Sequence, residues 1–166
     1  MRDFQFFKLP FMQWLKVTIA AMNSRDSVEI DDWRECWVEA YVKLGGTSCK
    51  RITGRLGSGD KECPMHAAWG LWRMNRIRAF ANGAAMVMHP KDILMAFGPN
   101  ALYAVIAANR LFSIPDTVAL KNDDFWAFIQ SDFLKYTGES AAGSNQGSMT
   151  VVKGLHGIDQ LVMLQT

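Results

Sequence analysis

The sequence predicts an all-α protein, a single-domain bundle of five or six helices that spans residues 1–166. Apolar residues recur at spacings of three and four in most segments, as on the buried face of an amphipathic helix. Proline, glycine and asparagine stand at the ends of these segments, where helices begin and end. Because 49% of the residues are hydrophobic and only 20% are charged, the composition excludes an intrinsically disordered chain.

The first two helices are predicted over residues 11–22 and from residue 26 or 27 to 44. Trp33, Trp37 and Tyr41 share one face of the second helix, which a glycine pair ends. Residues 1–10 precede these helices and are expected to form an N-terminal extension.

A basic, glycine-rich loop is predicted at residues 45–60, and its composition indicates mobility. A third helix begins near Cys63 and Pro64 and ends near Asn75, because proline is favoured in a first helical turn. Residues 77–80 then read as an extended segment.

Three further helices are predicted over residues 90–97, 99–112 and 122–137. Small side chains on one face of the middle helix would let another helix approach closely; these are Ala101, Ala104 and Ala108. A polar loop follows at residues 139–148.

The last segment of the chain leaves two structures open. Residues 149–157 suit a short helix that ends at Gly157, whereas residues 150–153 also suit a strand. Residues 158–164 read as an extended tail, and this tail and residues 77–80 are the places where a minor β-pairing is expected.

Residues 61–71 read Lys-Glu-Cys-Pro-Met-His-Ala-Ala-Trp-Gly-Leu. This stretch resembles the signature of a small uncharacterised bacterial protein family, in which Lys-x-Cys-Pro enters a helix and a Gly-Leu pair follows, here Gly70 and Leu71. The resemblance continues more weakly over much of the chain, including residues 100–111. It implies a helical fold and no particular activity. A cysteine that often follows the Gly-Leu pair is Trp72 here, which argues against paired-cysteine chemistry.

The charge distribution is strongly asymmetric along the chain. Residues 50–78 hold seven basic and two acidic residues, a net charge of +5, whereas the whole chain carries +2. The candidate anion-binding residues in this segment are Lys50, Arg51, Arg55, Lys61, Arg73 and Arg76. The partner would be a nucleic acid or an acidic protein surface. Trp69 and Trp72 would stack on the bases of a nucleic acid, but their spacing favours core positions instead. A third interpretation is that this basic segment packs against the acidic helix at residues 26–44.

Cys63 is the candidate nucleophile. A helix N-terminus beside Lys61 favours the thiolate, so the pKa of Cys63 is expected to be lowered, with His66 one helical turn away as a base. Cys63 and His66 also have the spacing of half a zinc site, but no second half is present, so no metal and no cofactor are predicted. The three cysteines, without a leader or a membrane span, predict a cytoplasmic protein.

These observations favour a non-enzymatic binding or interaction module that uses residues 46–60 and the helix entry at residues 60–66. The alternatives are a small enzyme or thiol-based sensor that uses Cys63 with His66, and a nucleic-acid-binding protein that uses residues 50–78. No catalytic constellation is complete, so an enzyme is the less favoured class. With 6 Trp, 10 Phe and 10 Met, the chain has enough large apolar side chains for some to form a homodimer interface. No membrane partner is expected.

Overall fold

Helices dominate the computed structural model, which describes residues 2–164, and the predicted all-α class is confirmed. The helices are α1 (Phe11–Arg25), α2 (Ile30–Lys43), α3 (Lys50–Thr53), α4 (Glu62–Arg73), α5 (Pro90–Phe97), α6 (Pro99–Ser113), α7 (Asn122–Thr137) and α8 (Gln146–Gly157). Two strands, β1 (Gln5–Phe6) and β2 (Leu9–Pro10), and three short 3₁₀ helices at Ser58–Asp60, Arg78–Phe80 and Pro115–Ala119 complete the described part. The chain divides into two compact units, Met1–Met65 and His66–Thr166, a division that the sequence did not predict.

The N-terminal segment, predicted as an extension over residues 1–10, is ordered and packed from residue 2 onward. β1 and β2 pair antiparallel, and the side chains of Phe6 and Leu9 are buried. The ring of Phe6 meets the ring of Phe11 edge to face, with centroids 5.4 Å apart. The Asp3 carboxylate accepts hydrogen bonds from the backbone N–H groups of Phe4 and Met12, at 2.8 and 2.7 Å. The segment therefore packs against the start of α1, and Asp3 satisfies a backbone donor there.

Tryptophans form the core between α1 and α2. Trp14, Trp33 and Trp37 are fully buried, and the ring centroids of Trp14 and Trp37 lie 4.2 Å apart. Trp14 Nε1 donates to the backbone oxygen of Trp37 at 2.9 Å, and Trp33 Nε1 donates to that of Met65 at 3.1 Å. The predicted apolar face of the second helix is thus the buried face of α2.

The boundary between α1 and α2 differs from the prediction. Asp26 adopts a left-handed conformation (φ 51°) as the C-cap of α1, so α1 extends to Arg25 and the second helix cannot begin at residue 26. Ser27 Oγ donates to Asp32 Oδ2 at 2.5 Å, and α2 begins only at Ile30. An aspartate before a helix fits both an N-cap and a left-handed C-cap, and here the preceding helix uses it.

In the second unit, α6 is the central helix. All of residues 101–108 are buried, and α6 packs against α5, α7 and α8. The predicted close approach is found at Ala101, because a Cβ placed on Gly70 of α4 would lie 2.9 Å from the Ala101 Cα. The predicted bounds of α5 are confirmed residue for residue.

The C-terminal segment resolves the alternatives that the sequence left open. Residues 146–157 form α8, capped by Asn145, whose side chain accepts from the Ser148 N–H at 3.2 Å. The predicted polar loop at residues 139–148 is therefore shorter. The predicted minor pairing is present as an antiparallel bridge between Ile77 and Leu161. The extended conformation predicted for residues 77–80 holds only at Ile77, since residues 78–80 form a 3₁₀ helix.

Candidate functional site

The basic loop, residues 46–61 of the first unit, contains α3 and a 3₁₀ helix and is held by hydrogen bonds. The Asp60 carboxylate accepts from the backbone N–H groups of Lys50 and Gly57, at 2.8 and 2.9 Å. The backbone oxygen of Ser48 accepts from the Gly59 N–H at 2.9 Å. These bonds tie the two ends of the loop together across α3.

The glycines of the basic loop allow close packing against Tyr41. A Cβ on Gly46 would lie 2.5 Å from the Tyr41 ring, and a Cβ on Gly59 would lie 2.6 Å from it. The Tyr41 hydroxyl also accepts a hydrogen bond from the Ser48 N–H at 3.3 Å. The sequence pattern that indicated mobility therefore reflects a tight contact, which only residues without a Cβ permit.

The outer surface of the basic loop combines cations with aliphatic side chains. Its exposed cations are Lys50, Arg51, Arg55 and Lys61, and within residues 2–164 none of them forms an ion pair. Ile52 and Leu56 are 51% and 79% exposed beside them. Four predicted anion-binding residues thus lie together on one solvent-facing loop.

The basic loop packs on α2 through Tyr41 and not through its cations, because the acidic residues of α2 are paired with other cations. Arg25 Nη1 bonds to Glu35 Oε2 at 2.7 Å, and Arg34 Nη1 bonds to Asp31 Oδ1 at 2.9 Å. Arg34 also bonds to Glu62 at 3.2 Å. Cations of α1 and α2 themselves therefore neutralise much of this acidic face.

Arg73 and Arg76 belong to the second unit. The prediction that Arg76 is part of an anion-binding surface is wrong, because the residue is buried. Its side chain is fully buried, with Nε donating to the Val162 backbone oxygen at 2.6 Å and Nη2 donating to Asn109 Oδ1 at 2.9 Å. Burial lowers the pKa of Arg76 to about 10. Arg73 is partly buried, with its guanidinium carbon 5.6 Å from the centroid of the Phe97 ring. A buried arginine cannot contact a partner at the surface. Counting charges along the sequence includes buried and exposed arginines alike, which is why Arg76 was predicted as a binding residue.

The core position that the sequence favoured for Trp69, over stacking on bases, is confirmed. Trp69 is only 7% exposed and meets the Phe97 ring edge to face, with centroids 5.6 Å apart. Trp72 is partly buried on the same helix. The aromatic component of a single-strand binding surface is therefore missing at Trp69.

Cys63 lies in the first turn of α4, but its electrostatic environment is the reverse of the expected one. Burial raises the pKa of the Cys63 thiol, the carboxylate of Glu62 adds to this effect, and Lys61 opposes it. The expected lowering of the pKa is therefore wrong. His66 follows three residues later in α4 and is partly buried.

Alkylation of Cys63 tests this result. Because Cys36 and Cys49 are buried, iodoacetamide should label Cys63 first, and its rate should rise with pH with a midpoint above the roughly 8.5 of a free cysteine. Glu62→Gln should shift the midpoint to lower pH, because the carboxylate that disfavours the thiolate is removed. Cys63→Ser identifies the labelled residue in the same assay. A midpoint below that of a cysteine peptide would restore the activated-thiol hypothesis.

A pocket in the second unit was missed by the sequence analysis. Its volume is about 360 Å³, and methionines, isoleucine and other apolar residues form most of its wall. Asn109, Arg110 and Asp132 bring polar groups to it, and Arg110 Nη1 bonds to Asp132 Oδ2 at 3.0 Å. The available signal was the Asn-Arg pair that directly follows the apolar run at residues 101–108 of one helix.

No protein-family model, curated protein or solved structure matches this chain. The resemblance to an uncharacterised bacterial family therefore stays a prediction. Within residues 2–164, no three His, Cys, Asp or Glu side chains are grouped so that they could hold a metal ion. Across the same residues, no helix has both the length and the apolar character needed to cross a bilayer.

Proposed function

We propose that this protein is a non-enzymatic binding protein whose basic loop contacts an acidic protein surface. The observation that carries the proposal is a group of four exposed cations, which form no ion pair with any residue from 2 to 164, beside exposed Ile52 and Leu56. Cations steer an acidic partner toward the loop, and aliphatic side chains contribute apolar area once contact is made.

The hydrogen bonds within the basic loop support this proposal. The bonds to Asp60 and the packing of two glycines on Tyr41 fix the loop before a partner arrives. A preorganised surface loses less conformational entropy on binding than a mobile one, so more of the contact energy appears as affinity. Exposed aliphatic side chains favour a protein over a nucleic acid, and Trp69 is packed against Phe97 instead of being available for bases.

Binding of synthetic polyanions tests the proposal. The probes are an acidic peptide with interspersed leucines, an oligoglutamate of equal charge, and a single-stranded RNA, each titrated across a salt series. We expect the leucine-containing peptide to bind most tightly, with affinity that falls as salt rises because the cations are exposed. Arg51→Glu with Arg55→Glu should weaken that binding by about tenfold or more, roughly 1.4 kcal/mol.

The matched control reverses two exposed cations of the second unit, Lys91→Glu with Lys121→Glu. The control carries the same net charge as the loop variant and should bind the peptide as the unaltered protein does. Equal losses in both variants would reduce the effect to net charge and contradict the proposal. Tighter binding of RNA than of either peptide would favour the nucleic-acid alternative instead.

We infer a cytoplasmic location for the same protein, because its three cysteines, Cys36, Cys49 and Cys63, are all free thiols. A bacterial source and a homodimer are further parts of the proposal. The exposed apolar side chains of the basic loop and of α5, where Met95 is 86% exposed, supply surface for self-association.

A further inference from the structure

The pocket in the second unit, called here the α6 pocket, has the size of a small-molecule site. Its volume is about 360 Å³, and sites for small ligands begin at roughly 300 Å³. Its apolar wall includes Met74, Met88, Ile93, Leu102, Val105 and Ile106. Most of the lining residues are apolar and a few are polar, so the pocket suits an occupant that has both an apolar and a polar part.

Asn109 directs a hydrogen-bond donor away from the protein interior. Its Oδ1 accepts from Arg76 Nη2 at 2.9 Å, and because a guanidinium only donates, the orientation of the amide is fixed. The Nδ2 group then faces away from Arg76, and it makes no hydrogen bond to any residue in the range 2–164. Asn109 lines the α6 pocket, so this donor is available to an acceptor there.

Arg110, the next residue, supplies a second donor. Its Nη1 bonds to Asp132, whereas its Nη2 has no partner among the described residues and is not sealed from solvent. Phe128 lies under the guanidinium, with 4.2 Å from Arg110 Cζ to the ring centroid, and holds its plane in place.

Among residues 2–164, the charges at this polar end of the pocket do not balance. Arg76 and Arg110 contribute two guanidinium groups, whereas Asp132 contributes one carboxylate. The two hydrogen-bond partners of Arg76 are neutral, and its Nη1 has none within residues 2–164. A buried cation without a counter-charge is unfavourable, so one further negative charge nearby would be stabilised.

We propose that the α6 pocket binds a small monocarboxylate with an apolar body, whose carboxylate accepts hydrogen bonds from Asn109 Nδ2 and Arg110 Nη2. The apolar body lies against the wall formed by α6 and the methionines. One negative charge on the ligand matches the one excess positive charge of Arg76, Arg110 and Asp132 together. This proposal does not depend on the basic loop, which belongs to the other unit.

Isothermal titration of the full chain with three linear C8 compounds of different charge and one aromatic carboxylate tests it. The probes are octanoate, 3-phenylpropanoate, octanol and octylamine. We expect the two carboxylates to bind at least about tenfold more tightly than octanol or octylamine, roughly 1.4 kcal/mol. Equal affinity of octanoate and octylamine overturns the proposal, as does the absence of carboxylate binding up to about 10 mM.

Asn109→Asp is the decisive variant, because it places a carboxylate of the protein itself beside Arg76. We expect it to weaken octanoate binding by about tenfold or more while leaving the melting temperature unchanged or raised. Asn82→Asp makes the same chemical change at an exposed position and should leave octanoate binding unchanged. Equal octanoate affinities in the two variants would contradict the proposal. The comparison of octanoate with octylamine needs no variant and keeps the test valid if Asn109→Asp folds poorly.

Discussion

Trp14→Ala is expected to lower the free energy of unfolding of the first unit by about 4 kcal/mol. The Trp14 side chain is fully buried and lies within ring-contact distance of Phe6, Phe11, Trp37 and Tyr41. Its removal leaves a cavity that four rings surround and that cannot close without moving both α1 and α2. A loss of this size is a large fraction of the roughly 5–15 kcal/mol that stabilises a typical domain.

Urea denaturation followed by circular dichroism measures the loss, and hydrogen exchange locates it. Faster exchange should be confined to the first unit, with α1 and α2 most affected, while the exchange of α6 serves as an internal reference. Unchanged protection of α1 and α2 in the variant would contradict the packing described here.

A pair of conservative variants separates the hydrogen bond of Trp14 from its packing. Trp14 Nε1 donates to the Trp37 backbone oxygen, whereas Trp37 Nε1 is buried with no partner among residues 2–164. Trp14→Phe therefore loses a bond and leaves a carbonyl unsatisfied, and Trp37→Phe removes a donor that was already unsatisfied. We expect Trp14→Phe to be more destabilising by about 1 kcal/mol. Equal effects would mean that the bond contributes nothing measurable.

Helices whose signals are local could be predicted well from the sequence. Pro90 and Gly98 mark the ends of α5, and its bounds were predicted without error. The predicted small-residue approach on α6 was also found, at Ala101. The ends of α5 and the small side chains of α6 can be recognised from their own residues, although Gly70, the partner of Ala101, lies in another helix.

Features that depend on distant partners could not be predicted. Asp3 bonds to an N–H nine residues later at the start of α1, and nothing in the composition of residues 1–10 indicates it. Tyr41 explains the glycines of the basic loop, but only once the loop folds back on α2. Arg76 is buried because Val162, which is 86 residues away, and Asn109 meet it.

The candidate sites show the same division. The four surface cations of the basic loop were predicted from the charge distribution of the sequence, because their exposure does not depend on contacts with distant residues. The same charge distribution also included Arg76, whose burial only the tertiary structure reveals. The α6 pocket left almost no signal, since its apolar residues read as ordinary core positions and only the adjacent Asn109 and Arg110 stand out.

Gly70→Ala is expected to destabilise the second unit by about 3 kcal/mol, although alanine is the better helix former. Helix propensity alone predicts a gain of about 1 kcal/mol from this change. The added methyl group would overlap the Ala101 methyl and lie 2.9 Å from the Ala101 Cα, so the two helix backbones would have to separate. The sign of the measured change in unfolding free energy therefore distinguishes packing from propensity.

Gly157→Ala is the matched control, because Gly157 is a helical glycine of the same unit whose added Cβ would meet open space. It should be neutral or slightly stabilising. Ala101→Gly alone should cost about 1 kcal/mol, but in the double variant with Gly70→Ala it should recover part of the loss, because it removes the overlapping methyl group. The recovery stays partial, since the Ala101 Cα remains in close contact. Strict additivity of the two changes would show that Gly70 and Ala101 do not touch, and the close approach of these helices would have to be abandoned.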